Sequence, residues 1–334
     1  MSNKKVVFSG IQPSGDKTLG NYLGAIRRWV AEQDDKVNYF CLVDLHSLTV
    51  PQDPETLRFQ TRSLAALLMA SGLSPDKCTI FIQSHVQAHA EGCWLLNCVT
   101  PLGWLHRMTQ YKDKSAKQES ILTALLDYPV LMAGDILFYD ADEVPVGDDQ
   151  KQHVELARDI ANRFNSMYGQ DFFVIPEPKI PEVAARVMGL DNPNAKMSSS
   201  NDTRGHSIKM IDTPKEILRS FKKAKTDSYG EIRFSKDPER AGVNNLLGIY
   251  KAITDKSFEA VEADFADARG YGDLKVRVAE LVIETLRPIQ DEYHRLMADS
   301  AELDRLMAKG AAQAAAVSQP KVDQMKEIMG LLAP

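Results

Sequence analysis

The chain has 334 residues, 44% hydrophobic and 26% charged, with a formal net charge of −6. That length suits about two domains with ample room for a core, and the near-average composition excludes disordered, collagen-like and coiled-coil classes. The acidic balance argues against a surface coated for general nucleic-acid binding, such as DNA packaging, but an average leaves room for a local basic patch.

In chain order, residues 6–9 read as a first strand, followed by a glycine-rich turn and a helix over 20–33 with Leu23, Ile26, Trp29 and Val30 on one face. Residues 37–44, 78–83 and 144–147 are strand-like, and 54–71 and 150–168 carry apolar residues at helical spacing. Strands alternating with helices in this way predict an α/β fold, a Rossmann-like doubly wound parallel sheet. Pro176, Pro178 and Pro181 interrupt the pattern, and residues 189–205, rich in Gly, Ser and Asn, are expected to form a mobile loop. Beyond it the chain reads as helical. Val282, Leu286, Ile289, Tyr293 and Leu296 form one apolar stripe, with a kink expected at Pro288, and residues 308–317 and 322–331 predict two further helices. The predicted domains are 1–189, the sheet domain, and 190–334, the loop and an α-helical domain whose last elements are free to return to the sheet.

Cys41, Cys78, Cys93 and Cys98 show no C-x-x-C spacing and read as reduced core thiols. His85, His89 and Cys93 would share a face if residues 84–98 were helical, but a fourth zinc ligand is not evident, so no metal is expected. No secretory leader is visible, and the most apolar stretch, 121–139, contains Asp127, Pro129, Gly134 and Asp135. A cytoplasmic protein with no membrane span is expected.

The turn after the first strand, Gly10 to Asn21 (GIQPSGDKTLGN), opens a helix. Its glycines permit close backbone approach, and a helix N-terminus presents unpaired N–H groups to a phosphate, so a nucleotide site is favoured. A P-loop would need Lys directly after Gly15. Asp16 intervenes there, and a carboxylate inside a phosphate cradle is electrostatically wrong.

Residues Thr18, Leu19, Gly20 and Asn21 resemble instead the first signature of the class I aminoacyl-tRNA synthetases, and Lys196-Met197-Ser198-Ser199-Ser200 resembles the second. The stretches FSGIQPSG from Phe8, VDLH from Val43, RMTQYKDKS from Arg107, YPVLMAGDI from Tyr128, VPVGDDQKQH from Val144 and AKTDS from Ala224 extend the resemblance. Nearly the whole chain is similar to the bacterial tryptophanyl-tRNA synthetases. A tyrosine-specific relative is the nearest rival, and Gln12, Pro13, Ser14 and the ending Gly20-Asn21 favour tryptophan.

The resemblance implies activation of L-tryptophan by ATP, accompanied by Mg²⁺, and transfer of the acyl group to tRNA(Trp) by a homodimer. Gln12, Pro13, Ser14, Gly20 and Asn21 would line the phosphates and sugar, Gly147, Asp148 and Asp149 the ribose, and Val187 the adenine. Ligand contact is the favoured role of Asp148 and Asp149, and capping of the helix near Gln150 is compatible with it. Lys196 would pair with the triphosphate, with Met197, Ser198, Ser199 and Ser200 completing that loop. Ser199 stands where the family often has a second lysine, and Lys114 is the better motif match, with Lys112, for supplying charge from elsewhere. For tryptophan, Asp135 would accept the indole N–H in a slot walled by Phe8, Gly10, Met132, Val144 and Val146. Tyr128 and Gln150 would hold the ammonium group, and His46 would either seat substrate or serve the core. A site built around one polar group rejects analogues lacking it, so phenylalanine would be excluded by ~10⁴-fold or more without editing. Between Lys196 and Arg240, eleven Lys and Arg stand against seven Asp and Glu. That excess includes Lys222, Lys223 and Lys225, suited to tRNA phosphates. A non-enzymatic tRNA- or tryptophan-binding relative of these enzymes is the alternative.

Overall fold

The computed structural model describes residues 4–116, 120–180, 186–198, 203 and 205–332. Five strands, β1 (Val6–Ile11), β2 (Val37–Leu42), β3 (Thr79–Ile82), β4 (Glu143–Pro145) and β5 (Glu177–Lys179), form one parallel sheet in the order β3-β2-β1-β4-β5. Val6 pairs with Val37, Tyr39 with Thr79, and Val7 with Glu143. Successive side chains along a strand point to opposite faces, and both faces here are apolar. Phe40, Leu42, Ile80 and Ile82 belong to one buried cluster, and Phe8, Tyr39, Cys41 and Phe81 to the other. A parallel sheet buried on both faces needs helices on both.

Those helices are α1 (Leu19–Asn21), α2 (Arg27–Glu32), α3 (Asp44–Ser47), α4 (Pro54–Ala70), α5 (Gln87–Asn97), α6 (Leu102–His106), α7 (Thr109–Ser115), α8 (Thr123–Leu137), α9 (Lys151–Tyr168), α10 (Pro214–Lys223), α11 (Ala241–Thr254), α12 (Phe258–Asp264), α13 (Tyr271–Ala298) and α14 (Ser300–Ile328). Residues of α4, α10, α11 and α13 fill the first cluster. Residues of α5, α8, α9 and α14 fill the second. The expected stripe from Val282 to Leu296 is buried throughout. Helix α14 lies against β3, where Gly310 permits a backbone approach that a side chain would forbid: a Cβ there would stand 1.8 Å from the Ile80 carbonyl oxygen.

Several expectations need correction. β5 falls where the prolines were read as an interruption; Pro178 is tolerated because β5 is an edge strand. The helix expected over 20–33 is interrupted by a π-turn at Tyr22–Ile26 between α1 and α2. The two helices expected after residue 308 are one, α14, which continues through Pro320, and α13 continues through Pro288. Cys41, Cys78 and Cys93 are buried, but Cys98 is exposed at the end of α5. Pro181 and parts of the 189–205 loop lie outside the described residues. Among the described residues no helix is long and apolar enough to cross a membrane.

Candidate active site

A cavity of about 350 Å³ opens at the carboxyl ends of β1, β2 and β4, where β1 connects toward β2 on one side and its neighbour β4 toward β5 on the other. That is the switch point at which open α/β sheets hold ligands. Phe8 and Gly10 from β1, Gln12 just beyond it, His46 from α3, Lys114 from α7, Tyr128, Met132 and Asp135 from α8, and Val144, Val146, Gly147 and Gln150 from the β4–α9 region all line it. The resemblance therefore gathers residues from far apart in the chain around one space. Thr49, Val43, Pro145 and Ile136 also line it and were not anticipated.

Asp135 is the polar centre. It is 1% exposed, yet it faces an apolar wall, so its charge requires partners. His46 Nε2 lies 2.7 Å from Oδ2, while Gln83 Nε2 at 2.7 Å and His89 Nδ1 at 2.6 Å share Oδ1. Burial alone would raise this carboxyl, but the charge and hydrogen bonds of His46 and His89 hold it well below the usual carboxylate range. The group is thus a pre-set anion, an acceptor with four lone-pair positions of which three are used. His46 lines the cavity and bonds the Asp135 carboxylate. Gln83 and His89 were not assigned to the site; Gln83 directly follows the apolar strand residues Ile80, Phe81 and Ile82, whereas nothing around His89 in the sequence marks it as a partner of Asp135.

Tyr128 stands at the other side. Its hydroxyl lies 2.8 Å from His153 Nε2, its ring meets that of His46 edge-on, and the Lys114 ammonium sits 5.4 Å from its centroid. Burial, aided by the Asp149 charge, pushes the phenol up to about 12, so it stays protonated. Burial and then the Lys114 charge press His153 down to about 4, keeping it neutral. Helix α7 is tied in place by the Thr109 N–H, which donates to Gln152 Oε1 of α9 at 2.9 Å. The helix beginning after Gln150 has no side-chain cap. Asp149 instead bonds the Gln150 amide at 3.1 Å and approaches Gly147, leaving an exposed carboxylate at the rim.

The two signature segments meet beside the cavity. Thr18 caps α1 reciprocally with Asn21, whose Oδ1 accepts from the Thr18 N–H at 2.8 Å. Gly20 faces Met197 and Val187, and its lack of a side chain leaves a surface between them. Residues 187–197 fold back on themselves: the Met197 N–H donates to the Val187 carbonyl at 3.1 Å and the Gly189 N–H to that of Ala195 at 2.8 Å. Buried His206 bonds both Asp191, at 2.5 Å, and the Lys196 carbonyl, at 3.2 Å, fixing the backbone from which exposed Lys196 projects. Pro13 is buried and Ser14 exposed in the turn. Lys17, unforeseen as a contributor, donates to the carbonyls of Gln12 and Ser14 at 2.9 and 3.3 Å, and Asp16 pairs with Lys209 at 2.6 Å. Asp16 is therefore neutralised outside any phosphate cradle. Ser199, Ser200 and the Asp148 side chain lie outside the described residues.

The zinc arrangement weighed for α5 is not formed. His85 precedes the helix, and both ring nitrogens of His89 are engaged by Asp135 and by the Tyr139 hydroxyl, 2.8 Å from Nε2. Among the described residues no cluster of three or more His, Cys, Asp or Glu side chains could hold a metal ion.

A parallel sheet with a partly apolar cavity floored by a carboxylate at its switch point, and two facing signature segments, is the architecture expected of a class I aminoacyl-tRNA synthetase. The model of the family described as "tRNA synthetases class I (W and Y)" matches residues 2–287, and the chain belongs to that family. Within it, the chain is 50% identical over 330 residues to a Wolinella succinogenes protein named tryptophan--tRNA ligase, covering 98% of this chain and 99% of that one. It is 49% identical to the Bacillus subtilis tryptophan--tRNA ligase, covering 98% of each. A solved tryptophanyl-tRNA synthetase from Campylobacter jejuni, complexed with ADP and tryptophan, superposes with a TM-score of 0.86 at 35% identity, covering 98% of this chain and 100% of that one.

Proposed function

We infer that the chain is a tryptophan--tRNA ligase: it activates L-tryptophan with ATP and transfers the acyl group to the terminal ribose of tRNA(Trp). The observation that carries this reading is Asp135, a buried carboxylate held ionised at the floor of a cavity otherwise fitted to an aromatic side chain. Its remaining lone pair accepts the indole N–H, while Phe8, Met132, Val144 and Val146 wall the ring. Tyr128, a protonated phenol, and Gln150 hold the ammonium group.

Tryptophan's carboxylate oxygen attacks the α-phosphorus of ATP, the bond to the bridging oxygen breaks, and pyrophosphate leaves. The tRNA ribose hydroxyl then attacks the acyl carbon and AMP leaves. Neither step needs a nucleophilic side chain, because positioning and charge stabilisation suffice. Gln12, Ser14, Gly20 and Asn21 hold the nucleotide, Asp149 accepts from ribose, Val187 meets the adenine, and Lys196 and Lys114 offset charge developing on the phosphates. Mg²⁺ enters with the nucleotide as its counter-ion; no described residue set fits a resident ion, and no step is assigned to one. Exposed Lys222, Lys223 and Lys225 at and after the end of α10 meet tRNA phosphates, within the 190–334 part that binds tRNA. The active unit is a homodimer, which sedimentation would test.

Pyrophosphate exchange with each of the twenty amino acids tests the assignment. Tryptophan alone should support exchange. Exchange that depends on another amino acid and ignores tryptophan would overturn it.

A further inference from the structure

We infer that His89 and Tyr139 are positioning residues that make the cavity selective for the indole N–H, by fixing the carboxylate that accepts it. The inference rests on the reading of Asp135 as the indole acceptor and adds the residues on which that acceptor depends.

The arrangement begins with packing. Gly92 on α5 leaves the space filled by the Phe138 ring at the end of α8; a Cβ at Gly92 would lie 2.1 Å from Phe138 Cζ. One turn back on each helix stand His89 and Asp135, on the same faces. The close approach of α5 and α8 therefore brings an imidazole to a carboxylate.

His89 is fully buried and lines no part of the cavity, so it does not reach substrate. Its ring packs among Phe81 and Tyr139 at centroid separations of 5.7 and 5.6 Å. Because an ionised carboxylate only accepts, His89 donates through Nδ1, and Nε2 is left to the Tyr139 hydroxyl. Turning the ring would break both bonds. The Tyr139 phenol is also 2% exposed, and it interacts with the Ser318 hydroxyl of α14, which extends the chain of contacts to the last helix.

The consequence for Asp135 is directional. Its three donors leave one lone-pair position for the cavity. Without His89 the carboxylate keeps His46 and Gln83 but is freer to turn about its terminal bond. It also loses one of the interactions that oppose burial, and a protonated carboxyl can present O–H where the substrate needs an acceptor. Selectivity for N–H should then fall even if the fold survives.

The test compares tryptophan with its benzothiophene analogue, in which sulfur replaces the indole N–H, as substrates in pyrophosphate exchange. The readout is the ratio of their kcat/KM values. His89→Phe should lower the ratio about tenfold or more, mainly through KM for tryptophan, with KM for ATP unchanged. His89→Asn, whose amide can stand where Nδ1 stood, should restore most of the ratio, and Tyr139→Phe should lower it less than His89→Phe. A purely structural role would depress both substrates equally and leave the ratio at the wild-type value, which would overturn the proposal. Should His89→Phe fail to fold, Tyr139→Phe with an unchanged ratio overturns it instead. Asp135→Ala, which removes the acceptor altogether, separates the two layers. If its ratio stays at the wild-type value, the indole-acceptor reading fails and this proposal with it; if its ratio collapses while that of His89→Phe does not, this proposal fails alone.

Discussion

Gly20 lies directly beneath Met197: a Cβ on Gly20 would stand 3.5 Å from Met197 Cβ and 3.6 Å from Val187 Cβ. These are ordinary contact distances, so alanine fits sterically, and Gly20 lies on the helical side of the Thr18 cap. Gly20→Ala should therefore leave stability unchanged or raise it by about 0.5–1 kcal/mol, while covering the surface assigned to the nucleotide. KM for ATP should rise and KM for tryptophan should not. A thermal melt with both KM values checks this, and an unaltered KM for ATP would remove Gly20 from the nucleotide site.

Replacing Asp135 should affect tryptophan and the fold together. Asp135→Ala removes the acceptor for His46, Gln83 and His89. Buried donors left without a partner cost about 1–3 kcal/mol each. Tryptophan affinity should fall by about 10-fold or more while ATP affinity in the folded fraction holds. Calorimetric titration of each ligand reads both, and equal tryptophan affinity in the variant would contradict the assignment.

Lys196→Ala should act on the chemical step. The side chain is exposed, and its backbone is held by Met188 and His206, so the fold should not notice the change. Loss of one charge aimed at the phosphates typically lowers the rate about 10²-fold or more. A single-turnover burst of adenylate formation measures it; an unchanged burst rate would make the lysine a bystander.

His153 sets a pH dependence. Its folded pKa, near 4, lies below its ordinary value of 6.5, so the unfolded chain binds more protons between the two. Its contribution is complete above about pH 6.5 and is lost as pH falls toward 4, amounting to about 3 kcal/mol at most. His153→Gln, which can still bond Tyr128 but does not titrate, should flatten the urea-unfolding stability over that window. The same slope in variant and wild type would assign the acid sensitivity elsewhere.

Charge reversal on α10 should separate the two half-reactions. Lys222→Glu with Lys223→Glu alters exposed residues that do not line the cavity. Pyrophosphate exchange should persist, while KM for tRNA rises and its salt dependence weakens. An aminoacylation assay at two salt concentrations decides this; an unaltered KM for tRNA would return these lysines to an ordinary solvated surface.

The sequence made the cavity wall legible because its residues fall in motifs: Phe8 and Gly10 on the first strand, Tyr128, Met132 and Asp135 along one helix, and Val144 to Gln150 after the fourth strand. The environment of Asp135 was not legible. His89 and Gln83 reach it only because α5, α8 and the end of β3 converge in space, and no local pattern encodes that. Spacing alone offered His89 as a metal ligand, whereas packing made it a partner of a carboxylate. The missed strand β5 and the unbroken α14 share a cause: proline discourages both elements locally, and an edge position in one case and tertiary packing in the other override that preference. Lys17 was read only as a misplaced P-loop lysine, since its bonds to the Gln12 and Ser14 carbonyls depend on the turn being folded.

Helix α14 supplies Ala311, Ala314, Val322 and Met325 to the same buried cluster as Phe8 and Phe81. Strand β1 thus waits for α14, about 300 residues later, before its cluster is complete. Until that helix emerges, β3 stands at the sheet margin without the segment that packs on Ile80, a condition that invites pairing between chains. Truncation within α14 would remove none of the residues that line the cavity and would still leave the cluster shared by β1 and β3 incomplete.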